Sequence, residues 1–278
     1  MPPSDLAAEL AALELRGLKR ERRILDSPQS AHVVVDGRPA IAFCSNDYLG
    51  LAADPRLIAA AADGARMFGV GAGASHLVLG HAAPHHRLEQ ALAAFVRLPR
   101  ALLFSSGYMA NIGIVTALAG RADAIFADKL NHASLNDAAL LSRAQFRRYA
   151  HRDLGALARF LKVSTARRKL VVTDAVFSMD GDVAAVPELL ELCERYDAWL
   201  MLDDAHGFGV LGAGGGGVLR HFNIVSPRII YMATLGKAAG VSGAFVAGEA
   251  DLIEALVQRA RLRCPYRSPR RGSPPARA

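Results

Sequence analysis

Trp199-Leu200-Met201-Leu202-Asp203-Asp204-Ala205-His206-Gly207 runs from a short apolar stretch straight into two carboxylates and an imidazole. Apolar residues without polar alternation, closed by a glycine, read as a strand buried on both faces, with its polar residues collected at the carboxyl end. The stretch sits in a repeating pattern. Working back towards the N-terminus, the spacing predicts a helix over 187–196, a strand over 169–174, a helix over 153–162, a strand over 145–149, a helix over 133–142, a strand over 123–127, a helix over 108–119, a strand over 101–105 and a helix over 84–97. Towards the C-terminus come strand-like 228–233 and 243–247. Repeated βα units of this length predict an α/β fold, a mostly parallel central sheet flanked by helices, with ligands beyond the carboxyl ends of the strands.

Ahead of this pattern, residues 1–44 read as an N-terminal arm. Leu6, Leu10, Leu13, Leu18 and Leu25 predict an amphipathic helix over 5–25, and Val33–Val35 and Ile41–Phe43 flank Asp36-Gly37, a pair suited to a tight hairpin turn. Residues 45–260 form the main domain. Residues 261–278, rich in Arg and Pro, have no helical or strand period and are expected to be a disordered tail.

Composition narrows the function. At 278 residues and 52% hydrophobic content, the chain can bury a sizeable core. The net charge of +7 lies in the tail, because residues 259–278 hold seven arginines and no acidic side chain, leaving 26 basic against 26 acidic before them. A nucleic-acid surface built into the fold is therefore not expected. No apolar run reaches about 18 residues and Met1-Pro2-Pro3-Ser4-Asp5 lacks a secretory pattern, so the expectation is a cytoplasmic protein that does not enter a membrane. Cys44, Cys193 and Cys264 are scattered and suggest neither disulfides nor zinc.

The chemistry gathers at strand ends. Lys237, in Thr234-Leu235-Gly236-Lys237-Ala238-Ala239-Gly240, follows an apolar strand among residues too small to hide it, so it can reach a cofactor aldehyde and form a Schiff base. On the loop alone, a solvated lysine is the other reading. Asp203 can keep a pyridine nitrogen protonated and His206 can bond a ring hydroxyl, although Asp203 with His206 would also suit a metal and a capped strand end would look the same. Ser105-Ser106-Gly107-Tyr108 between strand and helix aims free N–H groups at an anion, a phosphate for instance, but equally caps many helices that bind nothing. His132 and Ser178 lie at two further strand ends; His132 can stack on a flat ring or serve structure alone.

Two other motifs point elsewhere. Gly69-Val70-Gly71-Ala72-Gly73 invites a dinucleotide reading, yet it is G-x-G-x-G and no apolar strand precedes it. His81, His85 and His86 resemble a metal cluster, but Pro84 is expected to interrupt any helix that would align them, which favours a loop at the substrate entrance and no metal.

In order and spacing, Ser45–Leu51, His132–Leu135, Phe177–Asp182, Asp203–Gly207 and Thr234–Lys237 resemble the α-oxoamine synthase family of pyridoxal-phosphate enzymes, over about Ser45 to Arg259. Leu77–His81 and Asp203–Gly207 are most similar to the branch that condenses L-alanine with a pimeloyl thioester. The resemblance implies the large domain of an aspartate-aminotransferase-type fold, pyridoxal 5'-phosphate as cofactor, a homodimer, and an acyltransferase reaction with loss of carbon dioxide. It implies that Lys237 holds the cofactor and moves the substrate α-proton, and that Asp203 pairs with the ring nitrogen. His206 and Ser178 would contact the ring hydroxyl or phosphate region, and Gly107, Tyr108 and Thr234 would bind the phosphate. His132 would stack on the ring, while Asn46 and Arg20 would face substrate.

The family also continues into a small C-terminal domain, expected to be missing here, with the change of composition near Arg261 reading as a shifted frame. On that expectation the helix face of Leu252, Ile253, Leu256 and Val257 would stand exposed. Another α-oxoamine synthase, a non-catalytic remnant and a dinucleotide oxidoreductase are the alternatives.

Overall fold

A computed structural model describes residues 4–260; the tail over 261–278 lies outside the described residues. The chain divides into two units, Met1–Ser45 and Asn46–Ala278.

In the first unit, helix α1 spans Ser4–Leu15 and strands β1 (His32–Val35) and β2 (Arg38–Ile41) form an antiparallel hairpin. The helix is shorter than the expected 5–25. Gly17 takes φ +64°, and the N–H of Leu18 returns to the carbonyl of Leu13, closing the helix end. The hairpin is also tighter than expected: Asp36 and Gly37 both adopt positive φ, so the return strand starts at once, at 38 and not 41.

The second unit is built on a seven-stranded sheet. Its strands are β3 (Arg100–Phe104), β4 (Ala124–Asp128), β5 (Gln145–Tyr149), β6 (Lys169–Asp174), β7 (Trp199–Asp203), β8 (Ile229–Thr234) and β9 (Ala244–Gly248), in the order β3-β9-β8-β7-β6-β4-β5. All neighbours are parallel except at β9, which runs antiparallel to both β3 and β8. The predicted mostly parallel sheet is thus what forms, with one reversed strand.

Alternate residues of each strand enter two cores. Phe126, Leu200 and Leu202 pack with helices α6 (Leu154–Val163) and α7 (Val186–Arg195) on one face. Ile125, Val172 and Met201 pack with α4 (Gly107–Leu118), α5 (Ala133–Ser142) and α9 (Ala250–Arg259) on the other. Because both faces are covered, the inner strands need no polar alternation, which is why they read as largely apolar runs, whereas the edge strand β5, Gln145-Phe146-Arg147-Arg148-Tyr149, is mostly exposed and polar.

Two expectations are corrected, on the exposed face of the last helix and on Pro84, and one is met, on the glycine run. Leu252, Ile253 and Leu256 are buried, because α9 lays that face on α4 and the sheet of this same chain. Pro84 does not interrupt a helix: it occupies the first turn of α3 (Ala83–Val96), where no N–H is needed and its fixed φ suits the helix start. The glycine run 69–73 follows helix α2 (Pro55–Phe68), started by Asp54 and Pro55, so the dinucleotide alternative has no strand to stand on. Among the described residues, no helix is long and apolar enough to cross a membrane.

Candidate active site

Five strand ends of the second unit converge on one cavity of about 190 Å³. From β7 comes Asp203, fully buried, with Ala205 and His206 behind it. From β8 come Thr234 and, on the following turn, Lys237. Residues Gly107, Tyr108 and Asn111 enter from the start of α4, His132 and Ser134 from the start of α5, and Asp174 and Ser178 from the end of β6. The structure thus brings together all eight of the residues expected to touch the cofactor.

The floor is a buried hydrogen-bond network. Asn111 Nδ2 donates to Asp203 Oδ2 at 2.7 Å and to Ser134 Oγ at 2.8 Å, while the Ala205 N–H donates to Asp203 Oδ1 at 3.1 Å. Beside it, Asp174 Oδ2 accepts the His132 N–H at 2.8 Å. The His132 side chain caps α5: its Nδ1 accepts the Ser134 N–H at 3.2 Å and lies 2.7 Å from Ser134 Oγ, which puts the proton of the neutral ring on Nε2.

A second chain of bonds runs up the wall. Lys237 Nζ lies 2.7 Å from His206 Nε2, His206 Nδ1 lies 2.6 Å from Tyr48 Oη, and Tyr48 donates to Asn46 Oδ1 at 3.2 Å. One direction satisfies every group: Lys237 donates to His206, His206 to Tyr48, Tyr48 to Asn46. The nitrogens of His206 and the oxygens of Asp203 are thus engaged in hydrogen bonds, and among the described residues the pair belongs to no cluster of three metal-ligating side chains.

Burial sets the electrostatics. It pushes Asp174 up to about 8, with the neighbouring Asp203 adding to the rise, and it raises Asp203 as well against the opposing bond from Asn111. Lys237 is lowered by burial, although the two carboxylates pull the other way. His206 is pushed down to about 4 by burial and then by the charge of Lys237, so it is neutral at pH 7. The site therefore lacks a settled cation: two buried carboxyls whose ionisation burial opposes face one lysine that tends to lose its proton. A protonated ring nitrogen beside Asp203 would supply that cation, and the capped start of α4 offers N–H groups to an anion. The residues present fit pyridoxal phosphate.

Sequence reasoning missed Asn111, Ser134, Asp174 and Tyr48. Each lay in or beside a stretch already singled out, but what gives each its place is a partner far along the chain: Asp203 for Asn111, Asn111 for Ser134, the His132 N–H for Asp174 and His206 for Tyr48. Of the expected substrate contacts, Asn46 is reached through Tyr48, and Arg20 sits exposed after α1 in the separate N-terminal unit.

Comparison with known proteins agrees with this geometry. The family "aminotransferase class I and II" matches residues 38–275. An 8-amino-7-oxononanoate synthase of Nitrosospira multiformis is 70% identical over 246 residues, 88% of this chain and 62% of that protein. One of Nitrosomonas europaea is 66% identical over 261 residues, 93% and 67%. The chain thus spans about 62% to 67% of the length of these relatives. Among solved structures, a serine palmitoyltransferase of S. paucimobilis with bound PLP and myriocin has a TM-score of 0.86 at 30% identity, covering 93% of this chain and 66% of the other. An 8-amino-7-oxononanoate synthase of Francisella tularensis has 0.69 at 34%, covering 80% and 62%. With a PLP-type sheet and a lysine, carboxylate and helix start arranged as such a site requires, the chain belongs to the class I and II aminotransferase family, in the branch of the 8-amino-7-oxononanoate synthases.

Proposed function

We propose that this chain carries the site for decarboxylating condensation of L-alanine with a pimeloyl thioester, of coenzyme A or of a carrier protein, to give 8-amino-7-oxononanoate for biotin synthesis. The observation that supports it most is the buried pair Asp174 and Asp203 facing Lys237. The cofactor is pyridoxal phosphate. When bound, it supplies an electron sink for the charge left at the alanine α-carbon.

The rest is the work of this chain's side chains. Lys237 would hold the cofactor and, once free, move the alanine α-proton; burial keeps its amine within reach of the neutral form, as a general base near pH 7 needs. Asp203 would hold the proton on the ring nitrogen, oriented by Asn111. His206, neutral at pH 7, accepts from Lys237 without competing for its proton, and with Ser178 would face the ring hydroxyl or phosphate region. Gly107, Tyr108 and Thr234 would hold the phosphate, and His132 would lie against the ring. Asn46 and Arg20 would contact substrate. The homodimer of the family is proposed for this chain too, in keeping with the exposed apolar side chains Leu6 and Leu10 on α1.

Borohydride trapping of the bound cofactor followed by peptide mapping tests the assignment. The label is expected on Lys237, and Lys237→Ala should lose both the label and the condensation. A label on Lys129 or Lys169 would overturn it.

A further inference from the structure

The roomier cavity of the second unit is not the one that holds the lysine. About 510 Å³ opens beside α3, β3 and α9, with His81, His86, Glu89 and Glu254 in its lining. Nothing in the proposed reaction uses it. Because Pro84 starts α3, His86 and Glu89 fall three positions apart on consecutive turns and share a helix face. His81, just before the cap residue Ala82, joins them: the ligating atoms of His81, His86 and Glu89 all lie within 4.8 Å of one another. His81 Nε2 is 3.8 Å from Glu89 Oε2. Metal–ligand bonds of about 2.0–2.1 Å in a tetrahedron give ligand–ligand edges of about 3.3 Å, so small side-chain rotations bring this pair to the required span.

The surroundings orient these groups as ligands. Glu89 Oε1 accepts the Leu103 N–H at 3.0 Å, which fixes the carboxylate and turns Oε2 towards His81. His81 Nδ1 lies 3.1 Å from His76 Nδ1, so a neutral His81 can donate there and present the lone pair of Nε2 to an ion, the outer contact that sets the tautomer of a metal-bound histidine. A rival set, His76, His81 and His85, is as compact. There, however, His85 Nδ1 already accepts the Ala82 N–H at 3.1 Å, which places its proton on Nε2 and leaves no lone pair for a metal.

We propose that His81, His86 and Glu89 bind one divalent ion of the zinc class, with its remaining position open to the cavity. Two imidazoles and a carboxylate suit Zn²⁺, and also Co²⁺ or Ni²⁺, better than Mg²⁺ or Ca²⁺. The ion would pin the segment before α3 to that helix, outside the lysine cavity.

The test is calorimetric titration of untagged, cofactor-loaded protein with zinc chloride, with Cys44 and Cys264 changed to Ser so that thiols do not compete. One ion per chain at micromolar affinity or tighter is expected, and Co²⁺ should give the visible bands of a four-coordinate site. His86→Ala, at an exposed position, and Glu89→Gln should each weaken binding at least about tenfold, the cofactor absorption band and far-UV circular dichroism reporting that each variant is folded. His85→Ala should leave it unchanged. Absence of saturable binding, binding that survives His86→Ala and Glu89→Gln, or a loss in His85→Ala equal to that in His86→Ala would each overturn the assignment.

Discussion

Asp203 sits at the centre of the floor network, held by Asn111 and Ala205, and its value depends on charge more than on shape. Asp203→Asn keeps the volume and leaves the cofactor attached, but a neutral amide cannot hold a proton on the ring nitrogen. Exchange of the alanine α-proton should slow by at least about 100-fold, roughly 3 kcal/mol, and near-normal exchange in this variant would refute the role. Tyr48 acts one step away. Tyr48→Phe removes the acceptor for His206 Nδ1–H, leaving His206 free to turn its lone pair away from Lys237. The expected outcome is a displaced pH–rate profile with cofactor occupancy retained; an unmoved profile would count against the relay. Lys237, Asp203 and His206 were legible in the sequence because an apolar strand running into a reactive polar residue is conspicuous. Asn111 was not, since what gives it meaning is Asp203, 92 positions further on.

At the level of the element, the loop that carries Ser178 is held by a histidine between two carboxylates. His151 Nδ1 lies 3.1 Å from both oxygens of Asp128, and its Nε2 lies 2.9 Å from Asp182, with the ring edge-on to Phe177. Burial opposes its charge, but the bonds to Asp128 and Asp182 outweigh that and raise its pKa. A raised histidine contributes stability that is whole below its unfolded pKa of about 6.5 and lost as pH rises through the folded value. Amide exchange over 177–182 should therefore speed up as that value is passed by more than base catalysis alone explains, and His151→Ala should remove the excess. Gly240 is a second point of constraint. At φ +69°, a Cβ there would sit 2.5 Å from the carbonyl carbon of Leu51, so Gly240→Ala should cost roughly 1–3 kcal/mol in urea unfolding and loosen the Lys237 turn. Most strands and helices of the sheet were legible from hydrophobic period. The ends of α1 and β2 were not, because they are set by positive φ at Gly17, Asp36 and Gly37, and neither was the helix-starting role of Pro84, which depends on where the cap falls.

For the whole molecule, the buried carboxylates make cofactor-free stability depend on pH. Asp174 is raised to about 8 and Asp204 to about 7, both chiefly by burial. Each keeps its proton in the folded chain after the unfolded chain has lost it, so the stability it contributes is whole below about pH 4 and is lost as pH rises through 7 to 8. Between pH 5 and 7, each group lowers stability by up to about 1.4 kcal/mol per pH unit. Urea midpoints of the cofactor-free protein should fall over that range, and Asp174→Asn should flatten the decline; an unchanged slope in the variant would refute the assignment. The reversed strand β9 has a further consequence, for how the chain comes together in time. Arg100 pairs with Gly248, about 150 positions later, and among the described residues β3 has no other partner in the sheet. During synthesis β3 and the start of α4 leave the ribosome early, yet they gain their place beside β8 only when β9 arrives to bridge them. Such non-local closure is slow compared with the hand-to-hand addition of successive βα units. The turn proposed to face the phosphate is therefore translated early and fixed in place late, and a nascent chain that has not yet reached β9 has no finished pocket to offer the cofactor.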